Sequence, residues 1–232
     1  MRINPFALAP VNATQHPVVA SAYRFDAGFR TLTALRDGTP VCMRAIRPDD
    51  KDRLRRGFAQ LSPQSVYQRF LHPVKELTID YLRNLTELDF RNHVGLVLTV
   101  GEKGSETLIA VGRFVRLAPD ADEAEVAFTV ADKYQQRGAA SLLMQTLIRF
   151  ARACGIRKFV AILLQDNRAM FKVLEDSRLP LRREFEDGNL RVVLDLGEQA
   201  RVALERGRAQ SLSVKAAALP IASAWPRTGY AH

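Results

Sequence analysis

The sequence has few of the residues from which disulfide frameworks and metal sites are built. Its 232 residues include two cysteines and four histidines. Neither Cys42 nor Cys154 lies at a spacing typical of metal ligands, and two cysteines do not make a disulfide framework. We therefore expect no metal, and we interpret both cysteines as small hydrophobic side chains of a protein in the reducing cytoplasm.

Long apolar segments are scarce as well. No apolar run reaches the roughly 20 residues that a helix needs to cross a bilayer, and residues 1–6 lack the continuous apolar core of a signal peptide. These absences predict a protein that does not enter a membrane. The hydrophobic fraction of 47% and the charged fraction of 25% are ordinary for a globular protein, and 232 residues can form one domain with extensions.

The most informative segment of the sequence runs from Glu125 to Ala151. Residues 125–131 alternate between apolar and more polar side chains, which predicts a β-strand. A turn containing Gly138 follows. Next comes a helical pattern, whose apolar stripe comprises Leu143, Thr146, Leu147, Phe150 and Ala151. A strand that leads into a helix through small residues leaves free N–H groups at the helix start, and these groups, with the helix dipole, suit a phosphate.

Three motifs resemble the GNAT family of N-acetyltransferases. Gln135-x-x-Gly138-x-Ala140 matches the pyrophosphate loop of that family, in which Gln or Arg is followed by Gly and then by Gly or Ala. Arg44-x-Ile46-Arg47-Pro48-x-Asp50 resembles the first strand and helix of many GNAT domains. Residues 61–70, which read Leu-Ser-Pro-x-Ser-x-Tyr-x-Arg-Phe, look like the GNAT domain of the bacterial protein lysine acetyltransferases that modify acyl-CoA synthetases. The resemblance covers about residues 41–196.

The resemblance implies an α/β (α+β) GNAT fold with a mixed central sheet of about six to seven strands flanked by helices. We place the acetyltransferase domain at residues 41–196. Residues 1–40 are expected to form a weakly ordered N-terminal arm, in which residues 29–35 could make a short strand. Residues 197–232 are predicted to be a largely disordered extension, although residues 199–206 could form a short amphipathic helix.

Binding of acetyl-CoA as the co-substrate follows from the same resemblance. Backbone N–H groups of a loop would hold the pyrophosphate, and the residues of this loop are Gln135, Gln136, Arg137, Gly138, Ala139 and Ala140. Arg137 could add a charged contact with a phosphate, or it could be an ordinary exposed arginine. The N–H near Thr129 or Val130 would face the thioester carbonyl, as in an oxyanion hole. Asn167 would contact the pantetheine arm, cap the following helix, or do both.

Glu125 is the candidate general base. Lysine and other amines must lose a proton near neutral pH before they can attack a thioester. In the lysine acetyltransferases that this chain resembles, the glutamate that opens this strand has that role. The alternative is a solvated glutamate on a strand, with no part in catalysis.

The sequence departs from the wider family at the general acid. Many GNAT enzymes carry a tyrosine about two turns into the helix that follows Asn167, but Leu174 occupies that position here. Arg178-Leu179 replaces the common Gly-Phe after the helix. No general acid is therefore assigned, and His72 and His93 are given no role.

The sequence thus predicts an acetyl-CoA-dependent N-acetyltransferase that acetylates a protein lysine or a small-molecule amine by direct attack in a ternary complex. The alternative is a non-catalytic GNAT domain that binds acyl-CoA as a sensor or scaffold. The net charge of +9 favours anions such as the CoA phosphates or an acidic protein surface. It would also suit nucleic acid, but we do not expect that partner because no nucleic-acid motif or aromatic platform accompanies the basic residues.

Overall fold

Within the described residues, eight strands form one mixed sheet. The structure, a computed structural model, describes residues 25–102, 104–186 and 188–197. The strands are β1 (Arg30–Ala34), β2 (Pro40–Ala45), β3 (His93–Val100), β4 (Thr107–Arg116), β5 (Glu123–Val130), β6 (Lys158–Leu163), β7 (Leu181–Glu186) and β8 (Asn189–Asp195). Their order across the sheet is β1-β2-β3-β4-β5-β6-β8-β7. The expected mixed sheet is confirmed, and it has eight strands rather than six or seven.

Five helices connect these strands. They are α1 (Lys51–Phe58), α2 (Pro63–Phe70) and α3 (Ile79–Thr86) between β2 and β3, α4 (Ala139–Ala153) between β5 and β6, and α5 (Arg168–Asp176) between β6 and β7. Local sequence sets the start of α2, where Ser62 Oγ accepts the Ser65 N–H at 3.2 Å and Pro63 fills the first helical position. None of the helices in the described ranges is long and apolar enough to span a bilayer.

The helices cover both faces of the sheet. Alternate residues of β3 divide between two apolar clusters, since Leu96 and Leu98 pack with α4 while Val97 packs with α1 and α3. The predicted apolar stripe of α4 is buried at Leu143, Leu147, Phe150 and Ala151. Thr146 is an exception, because it is only partly buried and its hydroxyl donates to the Leu142 carbonyl at 3.2 Å.

Among the described strands, β5 and β6 form the one parallel pair, and their pairing is short. These strands pair only over Glu123–Glu125 and Lys158–Val160. Beyond that point β5 pairs with β4, and β6 pairs with β8. The two strands therefore separate, and the wedge between them opens toward the start of α4.

The N-terminal segment adds an edge strand to the sheet. β1 pairs antiparallel with β2, and Phe29 and Leu35, which flank β1, are buried. The ring of Phe29 packs edge-on against Phe150 of α4, with 5.2 Å between ring centres. The short strand that the sequence allowed near residues 29–35 is therefore present. Residues 1–24 and 198–232, and with them the helix predicted at 199–206, lie outside the described residues.

Candidate active site

A cleft of about 910 Å³ opens where β5 and β6 separate. Its volume is in the range of small-molecule and cofactor sites. The walls come from the end of β5, the end of β6, the start of α4, one side of α5 and the end of α2. Every residue that the sequence predicted for the site lines this cleft, except Arg137.

Glu125 stands where the two strands part. It is the last residue of β5 that pairs with β6, opposite Val160. Its exposed side chain lines the cleft and points to the α1–α3 face of the sheet, since Val126, one residue on, packs with the α4 cluster. Among the described residues, no basic group lies within ion-pair distance of the Glu125 carboxylate, and this side chain lines the cleft.

Two arginines that sequence reasoning did not single out lie near Glu125. They are Arg69 in α2, which is partly buried and interacts electrostatically with Glu125, and Arg113 on the neighbouring strand β4, two residues before Val115, which pairs with Glu125. Burial lowers the pKa of Arg69 and repulsion from Arg113 adds to that effect, whereas Tyr81 and Glu125 act in the opposite direction. Two guanidinium groups therefore lie close to Glu125, and Arg69 also lines the cleft. Arg69 belongs to the motif at residues 61–70, which is the sequence feature that could have identified it.

Backbone N–H groups of β5 are exposed to the wedge at alternate residues. Ala131 donates its N–H to the carbonyl of Ile109, which continues the β4–β5 ladder, at 2.9 Å. Because successive N–H groups of a strand point in opposite directions, those of Val130 and Phe128 face the wedge, and that of Thr129 faces β4. The sequence predicted that the N–H near Thr129 or Val130 would face a thioester carbonyl. In the structure the N–H of Val130 is on the cleft side, and so is that of Phe128, which was not predicted.

The start of α4 forms the opposite wall, together with residues 135–140, which we call the phosphate loop. Gly138 directly precedes the helix with a φ of 89°, in the left-handed region that glycine adopts at little cost. Among the described residues no side chain caps α4 or α1, whereas side-chain oxygens cap α2, α3 and α5. The first N–H groups of this 15-residue helix, at Ala139 and Ala140, are therefore available to an anion.

The side chain of Gln135 holds the phosphate loop in place. Its Nε2 lies within hydrogen-bond distance of the Val130 carbonyl (3.3 Å), Asp132 Oδ1 (3.0 Å) and Ser65 Oγ (3.1 Å). Asp132 in turn accepts the Ser65 hydroxyl at 2.6 Å and the Ser62 N–H at 2.9 Å. Burial would raise the pKa of Asp132, but these hydrogen bonds outweigh it and hold the pKa below its usual range. The start of α2 and the phosphate loop are therefore one connected unit.

Arg137 does not line the cleft. Its Nη1 donates to Asp37 Oδ2 at 3.1 Å, and its guanidinium lies 5.4 Å from the ring centre of Tyr134. Asp37 belongs to the turn between β1 and β2. The preceding residue, Arg36, donates its N–H to the Arg137 carbonyl at 2.9 Å, and its side chain lines the cleft. The sequence carried no signal for this contact, because residues 1–40 have the composition of a loosely attached arm.

Asn167 caps α5, as the sequence allowed. It is buried, and its Oδ1 accepts the Met170 N–H at 3.1 Å. Its side chain also lines the cleft, so contact with a pantetheine arm remains a prediction. Leu174 is fully buried and does not line the cleft, so the position at which many relatives carry a tyrosine points into the core here.

Metal ligands are not gathered anywhere in the part of the chain that the structure describes. No group of three or more His, Cys, Asp or Glu side chains there is placed to hold a metal ion. Cys42 and Cys154 are free thiols. Burial raises the pKa of Cys154, which favours the neutral thiol.

Residues 41–179 match the family described as "Acetyltransferase (GNAT) domain". This range covers more than half of the chain and includes Glu125, the phosphate loop and Asn167. The protein therefore belongs to the GNAT acetyltransferases, and membership of this family implies acetyl-CoA as the co-substrate.

The relatives include proteins of the Pat type. Acetyltransferase Pat of Mycolicibacterium smegmatis is 40% identical over 141 residues, which make up 61% of this chain and 41% of that protein. Acetyltransferase PA5475 of Pseudomonas aeruginosa is 32% identical over 151 residues, 65% of this chain and 81% of that protein. The crystal structure of the GNAT domain of S. lividans PAT gives a TM-score of 0.67 at 38% identity and covers 72% of this chain and 96% of that domain. The resemblance to Pat-type GNAT domains is confirmed. Because the chain spans less than half of the M. smegmatis protein, the activity of that whole protein is not transferred to it.

Proposed function

We propose that this chain is an acetyl-CoA-dependent N-acetyltransferase that acetylates an amine, either a protein lysine or a small molecule, by direct attack in a ternary complex. The observation that carries the proposal is the position of Glu125. Its carboxylate lies at the point where β5 and β6 separate, at the edge of a cleft whose other wall is the uncapped start of α4. Similarity to Pat-type lysine acetyltransferases favours a protein lysine as the acceptor.

Acetyl-CoA would lie with its pyrophosphate against the phosphate loop. The N–H groups of Ala139 and Ala140 would receive the phosphate oxygens, and the helix dipole of α4 adds a favourable field. The pantetheine arm would run between β5 and β6, past Asn167. This path would bring the thioester carbonyl to the N–H groups of Phe128 and Val130, which stabilise the oxyanion as it develops.

Glu125 would take a proton from the attacking amine, directly or through a water. As the nitrogen attacks the carbonyl carbon, the new C–N bond forms, the C–S bond breaks, and the thiolate leaves. Since Leu174 points into the core, this chain offers no tyrosine at the family's position for a general acid, and the thiolate would take its proton from water. Typical general-base contributions are about 10²–10⁴-fold in rate.

Arg69 and Arg113 would assist by discouraging a charged acceptor. An ammonium group that approaches Glu125 also approaches two guanidinium groups, and a nearby like charge disfavours the protonated form of an amine. The acceptor would therefore reach the thioester in its neutral form more readily than in open water.

The alternative is a non-catalytic GNAT domain that binds acyl-CoA as a sensor or scaffold. The burial of Leu174 favours it, because the usual position of the general acid cannot serve the cleft here. This alternative predicts binding of acetyl-CoA without turnover of any acceptor. The position of the Glu125 carboxylate, where β5 and β6 separate at the edge of the cleft, supports the enzyme instead.

A screen of lysine peptides and small amines, followed by release of the CoA thiol, tests the proposal. With any acceptor that is turned over, we expect Glu125→Gln to bind acetyl-CoA with wild-type affinity and to lower turnover by about 10²-fold or more. Calorimetry measures the affinity in the same samples. Glu123→Gln provides a matched control, since Glu123 lies on the same strand and pairs with Lys158 at 2.8 Å instead of lining the cleft. Wild-type turnover in Glu125→Gln would make Glu125 a structural residue.

A further inference from the structure

The turn between β1 and β2 reaches the acyl-CoA cleft, although it precedes the residues that match the family. The Leu35 N–H donates to the Thr39 carbonyl at 2.9 Å, which closes the turn, and Leu35 is buried in the core. Arg36 is tied to the phosphate loop by its N–H, which donates to the Arg137 carbonyl at 2.9 Å. The backbone of the turn therefore fixes where the Arg36 side chain begins.

The side chain of Arg36 lies directly over Gly138. A Cβ placed on Gly138 would be 2.9 Å from Arg36 Cγ and 3.1 Å from its Nε. The guanidinium continues to the rim of the cleft, and 59% of the Arg36 side chain is exposed. It is thus a positive charge held beside the loop that would receive the pyrophosphate.

The partner of Arg36 across the cleft is a weak one. Its Nη2 lies 3.7 Å from Asp176 Oδ2, at the end of α5, which is longer than a direct hydrogen bond. Asp176 also pairs with Lys172, whose Nζ lies 3.2 Å from Oδ1. Two cations on the cleft wall therefore share one carboxylate, and the rim keeps an excess of positive charge.

We propose that Arg36, supplied by the β1–β2 turn, binds a phosphate group of acyl-CoA, exchanging Asp176 for the phosphate as the ligand enters. The inference rests on the proposed function, since it assumes that the cleft takes acyl-CoA. A guanidinium offers two parallel N–H donors that match two oxygens of one phosphate. Asp176 does not use both donors, because its carboxylate is distant from Arg36 and is shared with Lys172. The phosphate is either part of the pyrophosphate or the 3′-phosphate of the nucleotide.

The test is calorimetric titration of acetyl-CoA and of acetyl-3′-dephospho-CoA into the whole chain. Arg36→Met is the main variant, because it keeps the aliphatic packing over Gly138 and removes the charge. We expect the Kd for acetyl-CoA to rise about fivefold in Arg36→Met, and Arg36→Lys to recover part of the loss. If the loss disappears with the dephospho ligand, the partner is the 3′-phosphate, and if it persists, the partner is the pyrophosphate.

Asp176→Asn separates phosphate binding from a merely structural bridge. We expect this variant to bind acetyl-CoA more tightly than the wild type, because Arg36 and Lys172 lose a competing carboxylate. Arg149→Met, which removes an exposed charge of α4 outside the cleft, should bind as the wild type does. Unchanged affinity in a folded Arg36→Met, or weaker binding in Asp176→Asn to the extent seen in Arg36→Met, would overturn the inference. Failure of the wild type to bind acetyl-CoA would instead reject the proposed function itself.

Discussion

At Gly138 two requirements coincide in one residue. The backbone has a φ of 89°, and the space that a Cβ would occupy is taken by the side chain of Arg36. The resemblance to GNAT enzymes implies that backbone N–H groups of this loop hold the pyrophosphate, and a residue without a side chain lets a phosphate approach them closely. The structure adds that any larger residue would strain the turn and displace Arg36 from the cleft.

We expect Gly138→Ala to weaken acetyl-CoA binding severalfold and to lower the free energy of unfolding by roughly 1 kcal/mol, the cost of a left-handed alanine. Gly138→Glu should abolish binding, because its carboxylate also repels phosphate. Calorimetry and thermal unfolding measure the two effects. Gly155→Ala is the matched control, since Gly155 follows α4 with a φ of 77° and has open space around it. It should show the same loss of stability with wild-type affinity, and equal affinity in both alanine variants would contradict the role given to Gly138.

Among the elements, α2 and the phosphate loop act as a unit because Asp132 joins them. Its carboxylate accepts hydrogen bonds from Ser62, Ser65 and Gln135. We expect Asp132→Ala to lower the free energy of unfolding by about 1 kcal/mol and to speed amide exchange in both α2 and the loop. Acetyl-CoA binding should weaken, since the loop loses its fixed position.

Asp89→Ala provides the comparison for Asp132→Ala. Asp89 likewise accepts several N–H groups, from Arg91, Asn92 and His93, in a turn before β3. This variant should lose similar stability and keep wild-type affinity for acetyl-CoA. If both variants bind acetyl-CoA equally well, the link through Asp132 does not position the loop.

Sequence reasoning identified the elements that depend on local pattern. The strand–turn–helix around Gly138 follows from periodicity, and the cap at Asn167 follows from residue type. The motif from Arg44 to Asp50 was recognised only by its resemblance to the family. The structure gives its physical basis, which is a buried ion pair with hydrogen bonds of 2.6 and 2.7 Å from the Arg44 guanidinium to the Asp50 carboxylate. The contact of Arg36 with Gly138 could not be predicted, because it joins segments about a hundred residues apart in the chain and arises only when β1 adds to the sheet edge.

For the whole molecule, the division of the sheet matters most. β1–β5 form one antiparallel half and β6, β8 and β7 form the other, and only three residue pairs of β5 and β6 join them. The site lies at this junction, so the cleft exists because the two halves do not continue as one sheet. Glu125 belongs to the last of those pairs, which places the candidate base at the point where the halves separate.

The free energy of unfolding of the whole protein should depend on pH through His93, whose side chain lies on the same face of the sheet as that of Glu125. Burial and the charge of Arg113 outweigh Asp89 and lower the pKa of His93 from 6.5 to about 4. The Nε2 atom of His93 is buried and has no hydrogen-bond partner among the described residues. Between these pKa values the unfolded chain binds a proton that the folded protein does not. The stabilisation of the folded protein by neutral His93 is therefore complete above about pH 6.5 and is lost as the pH falls toward 4.

Urea unfolding of the wild type and His93→Gln at pH 7.5 and at pH 4.5 measures this contribution. We expect the wild type to lose more stability than His93→Gln between the two pH values, by up to about 3 kcal/mol, since each unit of pKa shift corresponds to about 1.4 kcal/mol. Carboxylates whose pKa is lowered by folding also make the protein less stable as the pH falls. Because they do so equally in the wild type and in His93→Gln, the difference between the two proteins removes their contribution. His72→Gln, at an exposed histidine, controls for the change of residue type. Equal pH dependence in wild type and His93→Gln would show that burial beside Arg113 does not keep His93 neutral.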